Sequence, residues 1–469
     1  MASAYLRRTA VVATGGLLAA VAALGALVLA FHCNFQPRAP GGNYPSARSA
    51  LEAQRQDLDY FAKVIALDRA FSPAARAAAR QRMSDLESLP AALPSAKLQV
   101  ALMQLMASAD NGHSRMDATA AGSLVLPIRV SRFAGGFYVM RAAAAYRDML
   151  GGRVESIDGQ PFDRILARLE TLRGGVEGFR SENAAVFIVV QDLLYGLGIA
   201  ADPQASTWTV SRDGREVTHR LDAYPLPKGD EIPSGERWLF PDAASGSGTE
   251  WTAYRPQSGQ VPETWRDSGD HFRLFPAAGS CARVVRLQSI ADADGQKIAP
   301  FLAATEQALR AHPPCAAILD LRGNGGGDYT KAWHFAHALP ELLQPGGHIF
   351  VLTDSLTFSA AITTAAFVRD AGGDRVTIIG QPIGDRLSFF SEGGRACLPN
   401  LKVCAYYQTG KHDYAHACND WRECYWLNWL YPVRVRSLQP DVLVPLRFED
   451  WSAGRDAAYL AAIELAARA

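Results

Sequence analysis

Residues 281–381 contain four short apolar runs, "CARVVRLQSI", "CAAILDLRG", "GHIFVLTD" and "RVTIIGQ", separated by helix-period stretches at 295–312, 329–343 and 360–371. No other feature constrains the fold as tightly. Parallel strands cannot be joined by a tight turn; each pair needs a crossover of a dozen or more residues, usually a helix. The alternation therefore predicts an α/β fold with a layered, mostly parallel sheet and crossover helices. The strand-to-helix junctions of such a sheet are where a side-chain oxygen can be presented at its mouth.

Two of those junctions carry chemistry. The stretch "TDSLTFSAAITT" (353–364) places Ser355 and Ser359 between an apolar strand and a helix. Ser359 directly precedes small residues that can open a helix, so its oxygen lies near free helix amides, with the Ala360 N–H towards a developing oxyanion. Ser355 sits earlier and is placed to bond the local backbone. The stretch "LDLRGNGGGD" (319–328) ends a buried strand in a Gly-rich turn whose amides can line up on an anion. No Lys-Ser/Thr pair closes it, which argues against a phosphate loop. Two anion cradles at successive strand ends fit one acyl-transfer site.

The rest of the chain supplies context. Residues 1–8 form a short n-region with Arg7 and Arg8, and 9–31 carry no charge. At about 1.5 Å per residue that run spans roughly 33 Å, the thickness of a bilayer core. It reads as a membrane anchor, or as a signal segment if cleaved, with the remainder on the outer side. A Pro/Gly linker (32–48) leads to a helical subdomain (49–115), where Ser72-Pro73 is a cap and first-turn pair. Residues 116–225 read as a β-rich module with Asp-Gly turns at 158–159 and 213–214. Residues 226–275 read as a long connection or insertion, and 276–469 as the core with a Cys- and aromatic-rich insertion at 395–431. Lys plus Arg equals Asp plus Glu, 47 each, and no long like-charge block occurs, which argues against electrostatic capture of nucleic acid. Export makes the cysteines legible as disulfides. The expected pairs are Cys397–Cys404 and Cys418–Cys424 locally, and Cys281–Cys315 between neighbouring strands.

Four blocks together, "LDLRGNGGG", "TFSAA", "IIGQPIG" and "LQPDVLVPL…GRDAAYLAAIE", resemble the catalytic core of the tail-specific or C-terminal-processing serine peptidases, the group that includes the tricorn core. The resemblance covers about 276–469 and implies a crotonase-like peptidase core acting on polypeptides without a cofactor or metal. It makes Ser359 the nucleophile and the amides of Ala360 and Gly323 the oxyanion donors. "LGGRVESIDGQPF" (150–162) resembles part of a PDZ-like module, which in the family offers a groove to peptide termini.

One branch of the family uses a lysine twenty-five positions after the serine; here that position is Gly384, and the next lysine is Lys402. The other branch takes a histidine from an upstream "DGH[ST]"-like turn, matched by "DNGHS" (110–114). His113 is thereby the expected general base. Asp413 and Asp420 are the candidates for the acidic partner, Asp441 is expected to end a turn, and Asp385 and Arg386 are expected to shape the substrate pocket. Two other readings compete: an inactive peptide- or protein-binding member on the same scaffold, and a zinc hydrolase using His412 and His416.

Overall fold

The computed structural model describes residues 2–247 and 249–468, with side chains from residue 19 onward. Its central element is a six-stranded sheet in chain order: Phe272–Pro276, Arg283–Leu287, Ala316–Asp320, His348–Thr353, Val376–Gly380 and Val442–Leu443. The first pair is antiparallel and every later pair is parallel. The crossovers are the helices Ile298–Ala311, Thr330–Ala338 and Ala360–Gly372.

Alternate residues face opposite sides, as strand geometry requires. Ala317, Leu319, Ile349, Val351 and Ile378 pack with the crossover helices. Ala316, Ile318, Phe350, Leu352 and Ile379 pack against the C-terminal helix Ala457–Ala466. Cover on both faces explains why these strands read as continuous apolar runs.

A second, seven-stranded sheet is antiparallel and includes Ile128–Phe133, Gly136–Ala143, Arg153–Ile157, Ala205–Arg212 and Arg215–Asp222. Both Asp-Gly turns hold two successive positive φ angles, 47° and 74° at Asp158-Gly159 and 51° and 76° at Asp213-Gly214. That is the backbone of a tight hairpin turn, and glycine takes its second position without strain. Residues 226–275 are not a free-standing connection. Trp251–Ala253 pairs with 141–143 of this sheet, while Phe272–Pro276 forms the edge of the central one. Weak periodicity hid both, because each strand is short and lies at a sheet edge.

The helices Ala50–Leu67, Pro73–Glu87 and Ser95–Ala107 form the N-terminal helical region. Ser72 caps the second of these through the Ala75 amide, with Pro73 at its first position. The segment 395–431 is woven into the fold. Gly394–Cys397 and Cys404–Tyr407 form a hairpin whose second strand also pairs with Arg115–Met116. Ser388–Ser391 pairs with Gly410–Asp413. Disulfides join Cys281 to Cys315, Cys397 to Cys404 and Cys418 to Cys424.

The first helix is Ala2–Phe35, and its end packs Phe35 against Tyr425 and Trp426. Among the described residues no helix is long and apolar enough to cross a membrane. Residues 9–18 of the uncharged run lie outside those whose side chains are described.

Candidate active site

Ser359 stands at the N-terminus of the helix Ala360–Gly372 with φ 54° and ψ −125°. A non-glycine residue held at positive φ costs about 1–3 kcal/mol and persists only where its surroundings impose it. Here they do. The Phe358 amide donates to the Asn324 carbonyl at 3.0 Å, and the Thr357 hydroxyl donates to the Leu321 carbonyl at 2.9 Å. Gly326, at φ 107°, closes over the serine: a Cβ there would lie 2.6 Å from Ser359 Cβ. Ser49 and Ser72 cap their helices through the side chain, whereas the Ser359 hydroxyl bonds no helix amide. A strained serine whose oxygen is not used as a cap is the pattern of a nucleophile on a sharp strand-to-helix turn.

His113 reaches the same place from the other half of the chain. The strand pairing of Arg115–Met116 fixes the residues that follow it. Asn111 exchanges hydrogen bonds with the backbone of Phe390, and the Gln408 side chain donates to the His113 carbonyl. Arg386 donates to both the carbonyl and the carboxylate of Asp110. The imidazole lies between Phe358 (centroids 4.2 Å apart) and Phe389 (5.1 Å), and Phe358 stacks in turn on Phe179. Neither ring nitrogen has a hydrogen-bond partner among the described residues. Burial holds the imidazole below its ordinary pKa, offset in part by Asp385, so the ring is neutral and basic at neutral pH.

Asp385 is the carboxylate that faces this ring, with Oδ2 3.7 Å from Nδ1, longer than a hydrogen bond. It is buried, and its other oxygen accepts from the Arg386 amide. Asp413 and Asp420, expected as the acid, lie elsewhere. Asp413 accepts from the amides of Ala415 and His416, and Asp420 from the Arg422 amide. Both thereby serve local turns, and neither bonds His113. Asp385 was visible as a charge directly after the "IIGQPIG" block, one position past the lysine site of the other branch. At that site, Gly384, a Cβ would lie 2.6 Å from the Ser355 carbonyl oxygen, so a lysine does not fit this backbone.

The expected oxyanion donors divide. The Ala360 amide opens the helix and has no intrahelical partner. The Gly323 amide is already engaged, donating to both oxygens of Asp354 at 3.1 and 3.0 Å. Asp354 also accepts from the Leu356 and Thr357 amides, so it organises the turn that leads to Ser359. Glu236 packs on the other side of Gly323, its carboxyl where a Cβ would be. Gly325 borders the same cavity as Ser359, and its amide donates no hydrogen bond within the protein among the described residues.

Behind the Gly-rich turn lies a charge network in which every carboxylate is paired and only the Arg286 Nε is left over. Asp320 bonds Arg286 at 2.5 Å and Arg322 at 2.8 Å, and Arg322 bonds both oxygens of Asp456 at 2.9 and 2.8 Å. Burial alone would raise the Asp320 carboxyl, but the two guanidinium groups hold it down at about 2. Asp456 also caps the C-terminal helix through the Tyr459 amide. The "LDLRG" and "GRDAAYL" blocks are thereby two halves of one clamp.

His113, Ser359, Phe358, Gly323 and Gly325 border a cavity of about 950 Å³. No hydrogen bond joins Ser359 to His113 in this structure. Of the alternative metal pair, His412 is buried between the Ser391 and Tyr414 hydroxyls, while His416 is exposed beside Asp413. Among the described residues no group of three potential ligands converges.

No family model matches the chain, and no curated protein does. Solved structures do. Mature CPAF in complex with lactacystin aligns with a TM-score of 0.56 at 13% identity, over 89% of this chain and 97% of that one. A second structure of mature CPAF gives 0.55 and 14%, over 88% and 96%. The photosystem II D1 C-terminal processing protease aligns less closely, with a TM-score of 0.38 at 13% identity, over 86% of this chain and 98% of that one. Across nearly the whole length of both chains, this protein is similar in fold to mature CPAF.

Proposed function

We propose that this chain is a serine peptidase of the tail-specific, C-terminal-processing kind, hydrolysing peptide bonds through an acyl-enzyme at Ser359. His113 takes the hydroxyl proton as Ser359 attacks the carbonyl carbon, then returns it to the leaving amine. Asp385 steadies the imidazolium formed in between. The Ala360 amide, with Gly325 as its partner, receives the negative charge on the carbonyl oxygen. Water then cleaves the ester by the same groups in reverse. The observation that carries this reading is Ser359 itself: strained, uncapped and bordering the cavity that a neutral buried imidazole also borders. The open Ser359–His113 pair fits an enzyme without substrate, since such bonds often tighten only in the complex.

The engaged Gly323 amide and the unmade Ser359–His113 bond favour one competing reading, an inactive peptide-binding member on this scaffold. A fluorophosphonate probe and a casein digest separate the two. Labelling and hydrolysis that both vanish in Ser359→Ala support the peptidase. A parent protein that is neither labelled nor active supports the binder.

The three disulfides favour an oxidising, extracytoplasmic location. Tethering through residues 9–31 is the finer part of this reading. Carbonate extraction of membranes tests it: protein released into the supernatant would make that run a cleaved or peripheral segment.

A further inference from the structure

The cavity beside Ser359 is bordered by four cationic side chains, and three of them are satisfied within the protein. Arg115 and Arg395 both bond Asp117, at 3.2 and 3.0 Å, and Lys402 bonds the Pro399 carbonyl. The fourth, Arg173, donates no side-chain hydrogen bond and forms no ion pair among the described residues, although it is only 9% exposed. Its guanidinium lies over the Phe179 ring at 5.1 Å, and Phe179 stacks at 4.2 Å on Phe358, the residue before Ser359. Burial, with the like charge of Arg115, pushes Arg173 down to about 9, only partly offset by Asp385 and Asp117.

Three other buried arginines share the unpaired Nε but not the free terminal nitrogens. Arg129, Arg141 and Arg286 are also buried, and each gives its terminal nitrogens to carbonyls, a hydroxyl or carboxylates. In Arg173 only Nε is fully buried, so the two terminal nitrogens open on the cavity, and a ligand that supplies them an acceptor there offsets the cost of a largely desolvated charge. The position of Arg173 is also fixed. A Cβ on Gly174 would lie 2.9 Å from the Ala107 carbonyl oxygen and the Asn111 amide, and one on Gly175 would lie 3.1 Å from the Gly112 backbone. The loop that carries Arg173 therefore packs on the very turn that carries His113.

We propose that Arg173 is the carboxylate-binding residue of the substrate cavity, so that peptides bearing a free carboxylate, on a side chain or at the C-terminus, bind with that group on its guanidinium. The planar fork of arginine matches a carboxylate through two parallel hydrogen bonds. The inference rests on the peptidase reading for the identity of the occupant, a peptide, and not for the anion chemistry.

The test reads binding without turnover, in full-length protein carrying Ser359→Ala. Fluorescein-tagged alanine hexapeptides carry a central Glu or Gln, each with a free or an amidated C-terminus, and fluorescence anisotropy reports affinity. The expected result is at least a tenfold preference for a carboxylate over its amide counterpart, the size of one charge-assisted hydrogen bond in a desolvated site. The Glu/Gln pair and the free/amidated pair show which source of carboxylate the site reads. Adding Arg173→Gln should bring that ratio to one, and Arg173→Lys should keep part of it. Equal binding of both pairs, or no binding, in the Ser359→Ala parent overturns the proposal whatever the variants do. So does a preference that survives Arg173→Gln. Because no bond is cleaved, this outcome is independent of Ser359 labelling: losing either one leaves the other standing.

Discussion

The two faces of the Gly-rich turn at 323–327 are built on opposite principles. Behind it, Asp320, Arg286, Arg322 and Asp456 satisfy one another through short hydrogen bonds. In front of it, both His113 ring nitrogens and the Arg173 Nε are buried without partners, the Arg173 terminal nitrogens have no acceptor in the protein among the described residues, and the Ser359 hydroxyl caps nothing. Paired buried charge holds a shape, and breaking one partner leaves an orphan charge inside the protein. Unpaired buried polar groups lower stability and are tolerated where something else will pair with them. The back face fixes geometry; on the proposed reading, the front face is where a ligand binds and a proton moves.

Substitutions on the two faces should therefore separate activity from stability. His113→Ala is the sharpest break on the front. Peptide hydrolysis should fall by about a thousandfold or more, the scale of a lost general base. Its denaturant midpoint should fall only slightly, since removing an unsatisfied polar ring offsets much of the cost of the gap left between Phe358 and Phe389. A midpoint that drops steeply instead would make His113 a packing residue of the Phe358–Phe389 stack. On the back, Asp456→Ala should cost about 3–5 kcal/mol in urea unfolding, because Arg322 would lose its outer partner. Activity would fall with the folded fraction. An Asp456→Ala protein of unchanged stability would remove the clamp from the account.

This division also explains what the sequence made legible. The parallel core was readable because strands covered on both faces are uniformly apolar and sit at crossover spacing. Ser359 and the Gly-rich turn were readable because both are local features of strand ends. The meeting of His113 with that site was carried only by resemblance. It depends on Arg115–Met116 joining a hairpin nearly three hundred residues later, and no periodicity encodes such a pairing. Asp385 was named as a pocket residue and not as the partner of His113, since Asp413 and Asp420 in the insertion competed for that role, and both turn out to bond local amides. Arg173 gave no signal in sequence. Its distinction is a missing acceptor, which only a three-dimensional neighbourhood can reveal.

A smaller effect sharpens the role of Asp385. Burial lowers the His113 pKa and Asp385 raises it. The acid limb of kcat/KM should then lie below pH 6.5, because the neutral imidazole persists to lower pH than an exposed one. Asp385→Asn should move that limb lower still and reduce kcat by about ten- to a hundredfold. A limb that stays in place would show that Asp385 does not sense the charge on the ring.

The mildest perturbation tests the seam between the two faces. Glu236 bonds Arg286 on the back at 3.1 Å while its carboxyl packs against Gly323 on the front. Burial raises it to about 7, with Asp354 and Asp320 adding to the rise against Arg286. Its folded-state pKa thus exceeds the unfolded value, so the stability it contributes is full below the unfolded pKa and is lost as pH climbs through about 7. Asp320 has the opposite sign and changes nothing in that window, since its contribution is lost only as pH falls towards about 2. The unfolding temperature should consequently fall by a few degrees between pH 5 and pH 8. Glu182 and Asp68, each raised by burial to about 7, add slopes of the same sign. Glu236→Gln keeps an acceptor for Arg286 and cannot ionise, so its curve should be flatter than the parent's by one titrating group. If the two curves run parallel, Glu236 holds the same charge in the folded and unfolded protein, and the seam does not titrate.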